Sequence, residues 1–201
     1  KLKDYVALEI RTLKLEGDRR TRFDLTLSRL ESNGDIQAVF RYLANALQEV
    51  IPHEEGLQRF MSTMEQTARY WESVKTLQVI ADLQGGAERT RVLMYAGDIY
   101  GHRLNRLDAA AECYRSCLMV HPLFEEARVE LVKVLGRQGQ QAELVAEASD
   151  LSEAAQVSVG QALVDAYRFV DHHEAANHLL QGCYDLDPSN RVVFEDLFYG
   201  L

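Results

Sequence analysis

The sequence predicts an all-α chain of antiparallel helix pairs. Three observations carry this. Helix breakers are scarce: the 201 residues hold 3 prolines and 12 glycines, the two residue types that cost most inside a helix. Apolar residues recur at helical spacing along nearly the whole chain, and the alternation of a half-buried strand is absent. Turn signals return at a regular interval, because Pro52, Pro122 and Pro188 stand 70 and 66 residues apart. At ordinary helix and turn lengths the chain holds about eleven or twelve helices and no sheet.

The elements follow in order. Residues 2 to 15 have the pattern of the second helix of a pair. Ile36, Val39, Phe40, Leu43, Leu47, Val50 and Ile51 form one face of a helix that starts after Ser32-Asn33-Gly34-Asp35 and stops at Pro52. Met61, Met64, Ala68 and Trp71 continue in the next element, and Val74, Leu77, Ile80, Ala81 and Leu83 follow before Gly85-Gly86. A helix is expected from about Ala87 to His102, and another from about Leu107 to Val120, ended by His121-Pro122. Two further pairs hinge at Gln138-Gly139 and near Val170-Asp171, the second closing at Asp187-Pro188. Elements of this length joined by a few residues are helical hairpins.

Each proline closes the second helix of a hairpin, and the gaps between prolines are close to two repeats of about 34 residues. Side-chain register agrees. Leu93, Ala96, Gly97, Tyr100, Ala110, Tyr114, Cys117 and Pro122 place small and large residues at offsets that Gly160, Leu163, Tyr167, Ala176, Leu180, Cys183 and Pro188 largely repeat. Small residues let helices approach, and large ones fill the holes opposite. In these residues the chain resembles the tetratricopeptide repeat (TPR) family. The resemblance implies a right-handed α-α superhelix, one solenoid over 1–201, with units 18–52, 53–86, 87–122, 123–154 and 155–188 and partial helices at both ends. It is strongest in the third and fifth units, and weakest in the second and fourth. The third unit needs one or two extra residues, placed in the turn at Arg103 to Arg106. Both ends look cut, as expected of a fragment of a longer protein.

Composition bounds the function. The chain is 47% hydrophobic and 26% charged, with mean hydropathy −0.24, as in ordinary globular proteins. A net charge of −9 argues against nucleic acid, whose binding draws on Lys and Arg neutralising phosphates, and against an anionic membrane surface. No run of 18 apolar residues exists, so no membrane insertion is expected. Charge is uneven: residues 1–86 carry a net −1 and residues 87–201 a net −8. The acidic half suits a partner with a basic segment. Cys113, Cys117 and Cys183 read as buried thiols of a reducing, cytoplasmic compartment.

Candidate chemistry is thin. Cys113, Cys117 and His121 share a helical face at ligand spacing, but Cys117 and Cys183 occupy one small-residue slot of two repeats, which makes them packing residues. His172, His173 and His178, beside Asp171 and Glu174, form a cluster at a turn, where Asp171 is placed to cap the following helix. Arg19, Arg20 and Arg22 are flanked by Glu16, Asp18 and Asp24 and form a locally paired surface. No nucleophile–base motif, phosphate loop or H-E-x-x-H is present. No metal, no cofactor and no enzyme activity are expected.

The TPR resemblance implies binding in a concave groove lined by the first helix of each pair. Register places Arg22, Leu25 and Arg29 there from the first unit, and Arg59 and Thr63 from the second. Met94 and Asp98 come from the third unit, Val129 and Lys133 from the fourth, Gln161 and Asp165 from the fifth. Members that clamp a C-terminal carboxylate use Lys and Asn at such positions. Asp98 and Asp165 would repel one, so that subclass is rejected. The expected function is a non-catalytic adaptor holding a partner protein or peptide. The alternative is a structural spacer that forms homo-oligomers through exposed end helices.

Overall fold

A computed structural model describes residues 19–49 and 54–186. The predicted helix at 2–15, the arginine cluster's acidic neighbours Glu16 and Asp18, and Pro52 and Pro188 lie outside the described residues. Among the described residues there is no strand, and ten α-helices and one π-helical turn follow in order. They are α1 Arg19–Ser32, α2 Ile36–Glu49, α3 Glu54–Thr67, α4 Tyr70–Leu83 and α5 Gly86–Asp98, the π turn Ile99–Arg103, then α6 Leu107–Val120, α7 Glu125–Gln138, α8 Gln141–Ala148, α9 Glu153–Phe169 and α10 His173–Leu186. The all-α class read from the sequence is the class observed. The chain divides into two compact units, Lys1–Ile99 and Tyr100–Leu201.

In the first unit α2 packs on α1, α3 and α4, and α4 packs on α3 and α5. The α2 helix starts on Asp35, whose carboxylate accepts the Ala38 N–H at 3.0 Å, as an N-cap should. Phe23 stacks on Tyr42 at 5.7 Å and Phe40 on Phe60 at 5.3 Å. The Arg69 guanidinium lies 5.6 Å over the Phe40 ring and donates to Gln37 Oε1 at 2.7 Å. Buried hydroxyls satisfy themselves locally: Thr63, Ser73, Thr76 and Thr90 each donate to the carbonyl four residues back.

In the second unit α7 packs on α6, α8 and α9, and α9 packs on α8 and α10. Its buried side chains are mostly small or aliphatic, including Ala110, Ala127, Leu131, Leu135, Leu163, Ala166 and Ala176, and Tyr114 is fully buried with them. Gly136 carries a close approach: a Cβ there would stand 3.3 Å from both Ala162 Cβ and Leu144 Cδ1.

Five positive-φ residues end the first helix of each successive pair: Gly34, Ala68, Asn105, Gly139 and Asp171, with φ of 70, 52, 50, 73 and 63°. Two of the turns have the same hydrogen bonds. After α7, Gly139 N–H reaches Gly136 O at 3.1 Å and Gln140 N–H reaches Leu135 O at 3.0 Å. After α9, Asp171 N–H reaches Arg168 O at 3.1 Å and His172 N–H reaches Tyr167 O at 2.8 Å. Both are Schellman caps, in which the residue at C′ must be left-handed.

Several sequence expectations are corrected. Met61, Met64, Ala68 and Trp71 do not share an element: the chain turns at Ala68, and Trp71 sits on α4, half exposed. The extra length of the third repeat falls partly in the π turn before Arg103–Arg106, where Arg106 N–H bonds Tyr100 O at 2.7 Å. Gly160 is not a helical packing residue: with φ 42° and ψ −118° it breaks α9. Tyr167 is half-buried where the pattern placed a hole-filling side chain, while Tyr114 is fully buried. Leu83, placed on an apolar face, is exposed.

Candidate interaction groove

In the second unit the first helices of the fourth and fifth repeats, α7 and α9, lie side by side. Their ridges do not fill the surface between them, and two hollows open along the contact. One, of about 520 Å³, lies at the start of both helices, between Leu123, Phe124 and Val129 on one wall and Ser152, Ala154 and Ser158 on the other. The second, of about 410 Å³, lies further along, between Lys133, Gly136 and Arg137 and the facing Ala162 and Asp165.

The two hollows differ in chemistry. The first has one apolar wall, Leu123, Phe124 and Val129, a facing wall of small residues, Ser152, Ala154 and Ser158, and a rim of Glu125, Glu126 and Glu130. Glu125 Oε1 accepts the Ser152 N–H at 3.0 Å, and hydrogen bonding from the Ser152 side chain and backbone holds this exposed carboxyl below the usual range. Glu130 pairs with Lys133 Nζ at 2.7 Å, and His102 Nε2 stands 4.0 Å away. Among the described residues, no hydrogen-bond or ion-pair partner is found for Glu126. The nearby Arg128 is committed elsewhere, to Glu147 at 2.8 Å, Asp150 at 3.0 Å and the Pro122 carbonyl at 3.0 Å. The second hollow is mixed. Arg137 is held by the Gly101 carbonyl at 3.1 Å and by Asn105 at 2.9 Å, and the buried Gln141 Oε1 has no hydrogen-bond partner.

Of the residues that register placed in a groove, Val129, Lys133 and Asp165 are brought together along α7 and α9. Gln161 lies on α9 and Arg22 on α1, but their side chains are outside the described set. Arg59 and Thr63 line a separate hollow of about 300 Å³ in the first unit, with Glu31 and Gln66, where Arg59 pairs with Glu31 at 3.7 Å. Thr63 is itself buried, its hydroxyl donating to the Arg59 carbonyl. Leu25 and Arg29 are exposed on α1, and Met94 and Asp98 are half-buried on α5. Leu123, Phe124 and Ala154 were not read from the sequence. Helical register does not reach the first two; the sequence signal is the apolar pair Leu123-Phe124 directly after His121-Pro122, in a turn and not on a helical face.

The other clusters resolve simply. Cys113 and Cys117 are buried while His121 is exposed, so their positions do not converge. Burial first, and the Glu112 charge second, push the Cys113 thiol up to about 12. Cys183 is only half-buried, which corrects the fully packed position expected for it, although burial still raises its thiol. His172, His173 and His178 are all exposed. Asp171 does not cap α10: its carboxylate lies 2.8 Å from His173 Nε2, and the Tyr167 ring stacks on His172 at 6.4 Å. No helix among the described residues is long and apolar enough to cross a membrane.

No protein-family model matches the sequence, nor does any curated protein. Solved structures do match. YrrB, described as a TPR protein with an unusual peptide-binding site, has a TM-score of 0.61 and 12% identity, covering 87% of this chain and 89% of YrrB. The MamA protein has a TM-score of 0.60 and 12% identity, over 90% of this chain and 95% of MamA. The MamA RS-1 ArsTM double mutant has a TM-score of 0.60 and 14% identity, over 89% and 99%. At such identities the likeness is one of fold.

Proposed function

We propose that this chain, which has the tetratricopeptide fold, is a non-catalytic protein-interaction module that holds an extended segment of a partner protein against its concave side. The observation that carries the reading is the groove between α7 and α9, with Val129, Lys133 and Asp165 on its walls. It lies on the first helices of consecutive pairs. The peptide-binding site named for YrrB supports the same use of the fold. The acidic surplus of residues 87–201 favours a partner with a basic segment and a fast, salt-sensitive encounter. Asp98 and Asp165, at equivalent register positions two repeats apart, contribute to that field. Cysteines that form no disulfide suit a reducing, cytoplasmic setting.

A site-specific photo-crosslinker at Val129, compared with one at the exposed Glu112 on α6, tests the reading in cells. A partner peptide attached at 129 and absent at 112 is the expected result. Attachment at 112 alone would place the partner on another face. Mass that rises with concentration in the purified chain, with no crosslinked partner at either position, would favour the self-associating spacer.

A further inference from the structure

We infer that the α7–α9 groove selects segments in which a large apolar side chain stands within two residues of a lysine or arginine. The inference rests on the groove reading above and adds the chemistry of its occupant. The first hollow, of about 520 Å³, is within the range of sites that enclose ligand groups. The wall made by Leu123, Phe124 and Val129 is apolar, and Leu123 is 89% exposed, so covering it removes apolar surface from water. Ala154, opposite, is too small to fill the space. The open volume therefore takes a side chain from outside, of leucine or phenylalanine kind.

The rim sets the neighbour. Glu126 and Glu130 stand one turn apart on α7, about 6 Å along the helix. Glu126 has no hydrogen-bond or ion-pair partner among the described residues, and Arg128 is turned to Glu147 and Asp150. An ammonium or guanidinium beside the hollow meets this unbalanced charge. An extended segment advances about 3.3 Å per residue, so one or two residues span the distance from the hollow to the rim.

The test uses the full chain and three fluorescein-labelled nine-residue probes. Each has three Gly-Ser-type residues on either side of a central Lys-Leu-Lys, Lys-Ser-Lys or Glu-Leu-Glu, and affinities are read by anisotropy at low and moderate salt. Lys-Leu-Lys is expected to bind at least about tenfold tighter than either counterpart, the scale of one buried leucine. Ala154→Phe, which fills the hollow from an exposed position, should remove that preference. Glu126→Lys should weaken the probe several-fold and flatten its salt dependence. Equal binding of all three probes would overturn the apolar–basic selection and leave the groove reading standing, provided Ala154→Phe weakens them all. A Lys-Leu-Lys preference unchanged by both variants would overturn the assignment to this hollow. Binding of none of the probes would overturn the selection and the peptide-groove reading together.

Discussion

The two compact units both stack helices in antiparallel succession, but with different side chains. In Lys1–Ile99 the interior is aromatic and hydroxylated: Phe23, Phe40, Tyr42 and Phe60 are buried, and so are Thr26, Thr63, Ser73, Thr76 and Thr90. In Tyr100–Leu201 the buried set is largely alanine, leucine and valine, with no buried polar side chain among the described residues. Alanine lets backbones approach, so the buried set of the second unit suits packing by proximity, while in the first unit rings fill much of the space between helices. The helix-pair geometry therefore does not depend on one set of residues. It depends on volume being complementary across each contact, and this is why a register pattern strong in one repeat fades in the next.

Substitutions in the two interiors put this contrast under the greatest stress. Phe60→Ala removes a fully buried ring stacked on Phe40 and should cost about 3–5 kcal/mol, measured by urea unfolding. A loss below about 1 kcal/mol would mean that the rings do not hold the first unit. The converse change in the second unit is Ala110→Leu. Ala110 is fully buried, with its Cβ 3.6 Å from where a Gly101 Cβ would stand, and overpacking should cost about 1–3 kcal/mol. If the larger residue stabilised the protein, packing by proximity would be the wrong account.

Smaller effects separate the two Schellman turns, which share geometry but not residue. Gly139 has open space around it, so Gly139→Ala should cost only the left-handed penalty, about 1–2 kcal/mol. Asp171 already bears that strain, and Asp171→Gly should raise stability by a few tenths to about 1 kcal/mol. A destabilised Asp171→Gly would assign the turn's stability to the His173 contact instead. The smallest effect is chemical. Cys117 and Cys183 fill one slot of two repeats, yet Cys183 is the more exposed. At pH 8 a thiol reagent should modify Cys183 well before Cys113 or Cys117, as peptide mapping would report. Cys113 titrates at about 12 when folded against a reference of 9.0. Its contribution is therefore undisturbed below pH 9 and destabilises the fold as pH rises from 9 toward 12. Cys113→Ser should soften that alkaline transition.

Much of this was legible in the sequence where punctuation coincides with geometry. The limits of α6, Leu107 and Val120, follow from apolar spacing closed by His121-Pro122, and the turn after α7 follows from Gly139. The turn at Ala68 was not legible, because alanine is the best helix former and carries no turn signal. Gly160 misled for the opposite reason. A glycine within helical spacing reads as a small packing residue, and only its backbone angles reveal a break. Register points to Val129, Lys133 and Asp165, which line the two hollows, because they project from helices. It could not find Leu123 and Phe124, which precede α7 in the turn where helical counting has not begun.

The break at Gly160 has a mechanical consequence. A helix cannot carry its hydrogen-bond ladder across a residue at φ 42° and ψ −118°, so α9 is two short rods joined at a kink. The rod before the kink carries Ala154 and Ser158 of the first hollow, and the rod after it carries Ala162 and Asp165 of the second. The opposing wall, α7, is one uninterrupted rod. The groove thus lies between one continuous rod and one that bends midway. Each hollow rests on its own hydrogen-bonded segment of α9, so a substitution that disturbs the ladder of one segment need not disturb the ladder under the other hollow.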